Sequence, residues 1–365
     1  MLDASRRFVY VSKFPPSPSG IGLYAAVFEQ VLARLGEVRR HPAPAEPIDS
    51  QRLSAALRGM GEGWRQGRRS PDEHIHVELS GRALFEFYYA VGALTAGAAV
   101  TVTTHDLPSV VGSPMLFTGL DRRVLRRLGG LLSTLIGHRL ERYVLRRALA
   151  VCTLTTAGAE WLRTTYGVPA VSLGHVVDSP TPMAKERIIF CPGYIGDADP
   201  IRQLLNVIGK KNPEWRILVG ATTQQAADSI SDLLKGGRIS ASMMGDLDEE
   251  SLLGTFARSQ VVVRVRNHGG ANTLAASGPL AWSVARGCTV ITNDTRPGAE
   301  ELEGLGLIQV TEDWLERIQE ELGRPFSPGH VEDIQVRAQK ELGTTAVACR
   351  FEELLRPVQA TDGGG

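Results

Sequence analysis

Four short stretches combine residue types that could do chemistry on an anionic or hydroxylated ligand. The first is Pro15-Pro16-Ser17-Pro18-Ser19-Gly20-Ile21-Gly22, which runs straight into the helical pattern LYAAVFEQVLARL. Glycine lets backbone approach a ligand closely, and the helix start offers free N–H groups and a positive dipole end to phosphate or carboxylate oxygens. The same residues would also serve as a plain strand-to-helix turn. The second is His105-Asp106, directly after the β-branched run Val100 to Thr104. A histidine there can donate to a sugar hydroxyl or a phosphate, or simply pack.

The third stretch is Arg264-Val265-Arg266-Asn267-His268-Gly269-Gly270, followed by Ser277-Gly278-Pro279 and the helical run LAWSVARG. Proline suits the first helical turn, Ser277 or Gly278 can cap it, and two arginines can neutralise a diphosphate. Read blandly, alternate arginines line one solvated face of a strand. The fourth is a basic helical pattern holding Arg122, Arg123, Arg126, Arg127, Arg139, Arg142, Arg146 and Arg147. Such a face is either a solvated surface or a peripheral contact with anionic lipid through Arg122 to Arg147.

These stretches need elements to hold them, and the chain supplies a regular series. Strand-like runs at Phe8–Ser12, Ile75–Leu79, Val100–Thr104, Val151–Thr155 and Val171–Leu173 precede a second set. That set is Ile188–Cys191, Ile217–Val219, Ile239–Met243, Val261–Val265, Thr289–Thr292 and Leu307–Val310. Helical patterns separate them, among them Leu23–Leu35, Val124–Leu149, Ile201–Ile208 and Glu249–Ala257. Strand and helix in alternation mean parallel sheets covered on both faces, with ligands at the carboxyl ends of the strands. The chain is thus expected to be α/β, with two Rossmann-like doubly wound parallel-sheet domains facing a cleft. Their expected extents are 1–180 and 181–345, with a C-terminal helix and flexible tail over 346–365. The boundary falls in DSPTPMAKE, Asp178 to Glu186, where two prolines interrupt the apolar runs.

Composition sets the outer limits. The 365 residues carry 40 basic and 40 acidic side chains, and 43% are hydrophobic. That excludes a disordered chain and argues against a nucleic-acid partner, although the first 180 residues hold 21 basic against 15 acidic groups. Four widely spaced cysteines without a CxxC pair read as reduced structural thiols and no metal site. The start of the sequence lacks a signal-peptide core, so a cytoplasmic location is expected, peripheral to the inner membrane face if the basic helix touches lipid. Residues 87–104 carry no charge, yet Gly97 divides them into a buried helix and a buried strand rather than one membrane span. No GxxxxGK[ST], HExxH or GxSxG motif occurs, so no resident cofactor is expected.

Taken in order, several of these landmarks resemble the GT-B glycosyltransferases, in particular the retaining nucleotide-sugar enzymes of family 4. The resemblance rests on Ser19-Gly20-Ile21-Gly22 and VTVTTHD, on CTLTTAGAEWL and Gly167-Val168-Pro169, and on NPEWRILVG and WSVARGCTVITNDTRPGAEEL. It runs from about Phe8 to Val310. It implies metal-independent transfer of a sugar from a nucleotide-sugar donor to a small hydroxylated, natural-product or glycan acceptor, with acceptor on the first domain and donor on the second. His105 would orient the transferred sugar, and Arg264 and Arg266 would carry leaving-group charge. Gly20, Gly193, His268, Ser277, Gly278, Glu300 and Glu301 would complete donor binding. The sequence departs from the family at its paired glutamates, where Leu274 and Trp282 stand, and at its diphosphate-binding Arg and Lys, where Gly193-Tyr194 and Asp197 to Pro200 stand. A non-catalytic GT-B protein that binds a glycan, lipid head group or partner enzyme is the alternative.

Overall fold

The computed structural model describes residues 6–15, 20–44, 52–80, 83–108, 136–180, 183–194, 199–211, 214–221, 228, 241–244, 249–265, 274–310 and 313–356. The chain divides into two compact units, 1–176 with 344–365, and 177–343. Each holds one six-stranded sheet.

In the first unit, strands β1 (Arg7–Ser12), β2 (Glu37–Pro42), β3 (His74–Leu79), β4 (Val100–Thr104), β5 (Ala150–Thr153) and β6 (Ala170–Ser172) lie in the order β2-β1-β3-β4-β5-β6. Every neighbouring pair is parallel. Strands β3, β4 and β5 are buried on nearly every residue, as a parallel sheet covered on both faces requires. Helices α1 (Gly20–Ala33), α2 (Arg52–Arg69), α3 (Leu84–Thr95), α4 (136–147) and α5 (Thr156–Tyr166) connect them. The uncharged run 87–104 is indeed a buried helix and a strand separated by Gly97, whose φ of 85° only glycine adopts without strain.

The second unit orders its strands β12-β11-β10-β7-β8-β9. These are β7 (Glu186–Tyr194), β8 (Arg216–Ala221), β9 (Ala241–Met244), β10 (Ser259–Arg264), β11 (Thr289–Thr292) and β12 (Leu307–Gln309), again all parallel. Its helices are α6 (Asp199–Lys211), α7 (Glu249–Arg258), α8 (Gly278–Ala285), the short α9 (Pro297–Glu300), α10 (Trp314–Gly323) and α11 (Pro328–Leu342). Ile189, Ile217, Val261 and Ile291 from four strands meet Leu204, Trp215, Trp314 and Ile318 in one apolar core. Lys185, at the entrance to β7, donates to the carbonyls of Ser259 (2.7 Å) and Phe256 (3.3 Å). It thereby satisfies acceptors left open where α7 ends.

The chain ends with α12 (Thr344–Leu355), which belongs to the first unit, so residues 344–356 leave the second unit's sheet and return to the first. Phe351 from α12 is fully buried and meets Phe28 edge-on at 5.5 Å. Cys152, Cys191 and Cys288 are buried free thiols, and burial pushes Cys191 up to about 12.

Helices α2 and α3 approach unusually closely. A Cβ at Gly63 would run into the Tyr89 carbonyl oxygen, and one at Gly92 into that of Met60. Both positions therefore need glycine for backbone contact. Gly63→Ala is expected to lower stability by about 1 to 3 kcal/mol, the usual cost of forcing a group into packed backbone, read as a lower urea midpoint. The same substitution at Gly61, which has open space around it, should move the midpoint little or raise it.

Candidate functional site

Strand β3 alternates His74-Ile75-His76-Val77-Glu78, and the period of two puts His74, His76 and Glu78 on one face. That face meets β4, where Ile75 pairs with Val100, His76 with Thr101 and Leu79 with Thr104. The strand then delivers His105 at its carboxyl end, with the His105 amide donating to the Leu79 carbonyl at 2.9 Å. The result is a buried polar chain built around one carboxylate. Glu78 Oε2 lies 2.5 Å from His105 Nε2, while Oε1 accepts from the Tyr10 hydroxyl at 3.0 Å and lies 3.1 Å from His76 Nε2.

An ionised carboxylate only accepts, so both imidazoles must present N–H to it. The other nitrogen of His76, Nδ1, lies 2.8 Å from Thr101 Oγ1. Thr101 in turn accepts from His74 Nε2 at 2.9 Å. Burial, with the nearby charge of His76 and Arg6, carries His74 down to about 3, so that ring is neutral. Burial disfavours the charge on Glu78, but hydrogen bonds from His105 and His76, with their charge, outweigh it and bring the carboxyl down to about 2. Glu78 is therefore an anion at neutral pH despite complete burial. In neutral His105 the Nε2–H is committed to Glu78, which leaves the Nδ1 lone pair to receive a hydroxyl proton in a hydrogen bond.

Aromatic rings fix these imidazoles in place. Tyr24, from α1, stands edge-on to His105 at 4.8 Å and to His175 at 5.3 Å. Phe28, one helical turn on, stacks on His76 at 4.8 Å, and Phe351 meets the same imidazole edge-on at 5.2 Å, beside Phe28. Burial and the adjacent His105 bring His175 down to about 4. Helix α1 begins at Gly20, so the glycine turn and His105 belong to one neighbourhood of the first unit through the side chain of Tyr24.

The second unit assembles another group. Arg264 ends β10 and its Nη1 donates to Ser277 Oγ, the N-cap residue of α8. Ser277 makes no side-chain cap bond to α8, so its hydroxyl oxygen serves the guanidinium instead. Two candidates, Arg264 and Ser277, are thus brought together beside Gly278 and Pro279. The Thr292 hydroxyl donates to the Arg264 carbonyl at 2.7 Å, tying β11 to the same point. Asp294 follows and is gripped by Arg296 through Nε at 2.7 Å and through Nη2. Burial opposes ionisation of Asp294, but Arg296 and the charge of Arg264 prevail and hold it below the usual carboxylate range. The loop carrying Ala275 and Ala276 packs directly on Gly298 of α9, where a Cβ would lie 2.6 Å from Ala276 Cα.

The remaining candidates are placed separately. Gly193 lies in β7, and Glu300 and Glu301 are exposed at the end of α9. Trp282 is buried in α8, at the position where the family resemblance places a carboxylate. Arg266, His268, Asp197 and Arg122 to Arg127 lie outside the described residues. Arg139, Arg142, Arg146 and Arg147 are exposed along α4, and Arg146 Nε donates to the Tyr166 carbonyl at 3.3 Å. Among the described residues no cluster of three or more His, Cys, Asp or Glu side chains could hold a metal ion, and no helix is long and apolar enough to cross a membrane. Sequence reading missed Glu78, His76 and Tyr10, although the alternation H-x-H-x-E on a strand was a usable signal. It also missed the Asp294–Arg296 pair.

Residues 9–174 match the family model of the glycosyl transferase 4-like domain. No curated protein matches the chain. Solved structures do match along nearly its whole length. HepE (Alr3699) of Anabaena, crystallised with UDP and glucose, superposes with a TM-score of 0.62 at 11% identity, covering 96% of this chain and 99% of that one. AviGT4, a glycosyltransferase involved in avilamycin A biosynthesis, gives 0.57 at 14% identity over 96% and 97%. A putative UDP-N-acetylglucosamine 2-epimerase from Listeria monocytogenes gives 0.61 at 12% identity over 96% and 95%. Likeness at these identities is one of fold.

The buried histidines make stability depend on pH. In the unfolded chain His175 and His74 take up protons near 6.5, whereas in the fold they do so only near 4 and 3. The unfolded state thus binds more protons across that window, and stability falls as pH drops below about 6.5. Glu78 then extends the loss from the ordinary carboxylate range down to about 2. Unfolding free energies from urea titrations between pH 7.5 and 4 should decline steadily, by several kcal/mol in all, with the midpoint falling in step. A midpoint constant over that range would contradict the buried-neutral assignment.

Proposed function

From a chain with the GT-B glycosyltransferase fold, whose first unit carries a glycosyl transferase 4-like domain, we propose the following activity. The protein transfers a sugar from a nucleotide-sugar donor to a small hydroxylated, natural-product or glycan acceptor, without a metal ion and with retention at the anomeric carbon. The observation that carries this reading is His105, delivered at the carboxyl end of β4 and held by the buried anion of Glu78. A transfer of this kind asks little covalent chemistry of the protein. It needs the reacting hydroxyls oriented and the departing phosphate's charge stabilised.

His105 supplies the first requirement. Its Nδ1 accepts from a hydroxyl of the transferred sugar or the acceptor, while Glu78 fixes the ring's tautomer and orientation through Nε2. Glu78 is therefore a positioning residue. The second requirement falls to the second unit. Arg264 offers positive charge for a diphosphate and the amides of Gly278 and Leu280 at the start of α8 offer N–H groups, with Arg266, His268 and Gly193 as further contacts. UDP is the first nucleotide to try, because HepE was crystallised with it. Glu300 and Glu301 would meet the donor's ribose or sugar hydroxyls. A binding-only protein is the second reading, and the specific observation in its favour is Trp282, whose buried indole stands where the family resemblance places a donor-holding glutamate.

Thermal unfolding with UDP, GDP or TDP and their sugars separates the two readings. A nucleotide at about a hundred times its Kd should add about 2.7 kcal/mol of stability, and turnover should then be detectable with the matching donor. His105→Ala should lower kcat at least about tenfold while leaving the nucleotide-induced shift intact, whereas Arg264→Ala should abolish the shift. Glu78→Gln should lower kcat more than it changes KM. No shift with any nucleotide would favour the binding-only reading.

A further inference from the structure

Helix α2 is built the wrong way round for a helix whose only task is packing. Its buried side is Ala56, Gly59, Gly63 and Gly67, spaced three or four residues apart, and these small residues lie against α3. Its large apolar residues point outward instead. Leu53, Leu57, Met60 and Trp64 are 47%, 56%, 37% and 48% exposed. Their spacing of four, three and four places them on a single stripe about 16 Å long at the α-helical rise. Nine large apolar side chains are notably exposed among the described residues, and the other five, Ile136, Leu149, Met183, Phe326 and Val336, are scattered singly. A contiguous row of this kind marks an interaction surface, where isolated exposed residues do not.

Charge beside the stripe narrows what covers it. Arg58, Arg65, Arg68 and Arg69 are all exposed on α2. The helix's one acid, Glu62, is already engaged by Arg58 at 2.8 Å and by His41 at 3.1 Å. The Arg68 guanidinium lies 5.8 Å from the centroid of Trp64, so a cation and an amphipathic indole share the edge of the stripe. At about 100° per residue the apolar row lies beside the small-residue seam rather than opposite it, with Arg68 on its outer edge and Arg65 further round, so the row carries a positive border. An apolar row with such a border complements the acyl-headgroup boundary of an anionic bilayer.

We propose that α2 is an interfacial docking helix that seats the first unit on a negatively charged membrane surface, with Leu53, Leu57, Met60 and Trp64 entering the headgroup boundary and Arg65 and Arg68 pairing with lipid phosphates. The contact is peripheral. It is independent of the arginines of α4 and goes beyond the proposed transfer reaction, since none of the residues named belongs to the catalytic or donor-binding groups.

The test is cosedimentation of the full chain with vesicles of phosphatidylcholine alone or mixed with phosphatidylglycerol. The wild type should bind the mixed vesicles, bind pure phosphatidylcholine much more weakly, and lose binding as salt rises. Leu57→Glu with Trp64→Glu should reduce partitioning at least about tenfold without changing the melting temperature, because both side chains are solvent-facing. Arg65→Glu with Arg68→Glu, a pair that leaves the apolar row intact, should abolish the preference for phosphatidylglycerol. The proposal fails if the wild type ignores phosphatidylglycerol vesicles at low salt, or if both double variants bind as the wild type does. It also fails if light scattering shows a dimer that Leu57→Glu with Trp64→Glu dissolves, which would assign the stripe to a second copy of this chain.

Discussion

The buried carboxylate of Glu78 organises the polar interior of the first unit. Isolated, the Glu78 carboxylate would be expelled from a sheet interior or protonated, because desolvating an ion is costly. It stays charged because Tyr10, His76 and His105 surround its two oxygens, drawing partners from β1, β3 and the end of β4. Those three strands are neighbours in the sheet, so their register is tied to the carboxylate as well as to the backbone ladder. The relay continues outward through Thr101 to His74. Each member has its donor or acceptor assigned by the next, and removing one would strand the rest without water to replace it.

That network is covered by aromatic rings, and they explain two features that looked unrelated. Helix α1 supplies Tyr24 and Phe28 over His105 and His76, and α12 sends Phe351 back from the far end of the chain to close against His76. The C-terminal helix thus adds Phe351 to the ring cluster that Phe28 begins around His76. The close α2–α3 contact works on the outer layer of the same unit. Glycines there allow backbone to touch backbone, and the apolar side chains that would normally fill such an interface are left to face outward.

Much of this was legible in the sequence, and the pattern of success follows from which signals are local. Buried parallel strands are short uncharged β-branched runs, so Val100–Thr104 and Thr289–Thr292 could be delimited to the residue. Gly97 and Gly287, at φ of 85° and 72°, marked helix ends as their flexibility requires. Strand β2 escaped because it is a sheet edge reading EVRRHP, with arginines where an interior strand has valines. Helix α2 escaped because its glycines and arginines read as a loop, and only the partner helix shows why the glycines are needed. His105 was recognisable from its place after a strand. Its partner lies 27 residues earlier, and nothing in the sequence announces that two adjacent strands bring them within 2.5 Å.

The second unit poses the opposite problem, since its polar groups are already partly spoken for. A diphosphate site needs positive charge in excess, yet Arg264 has the Ser277 hydroxyl and the Asp294 carboxylate as neighbours, and Asp294 is shared with Arg296. One carboxylate between two guanidiniums leaves a net positive charge, and it also holds both arginines still in advance of a ligand. Pre-fixing a cation lowers the ordering cost when an anion arrives, at some loss of raw attraction. At position 282 a buried indole adds no further acid to the unit. The second unit therefore presents two arginines around one carboxylate, with an indole rather than an acid at position 282.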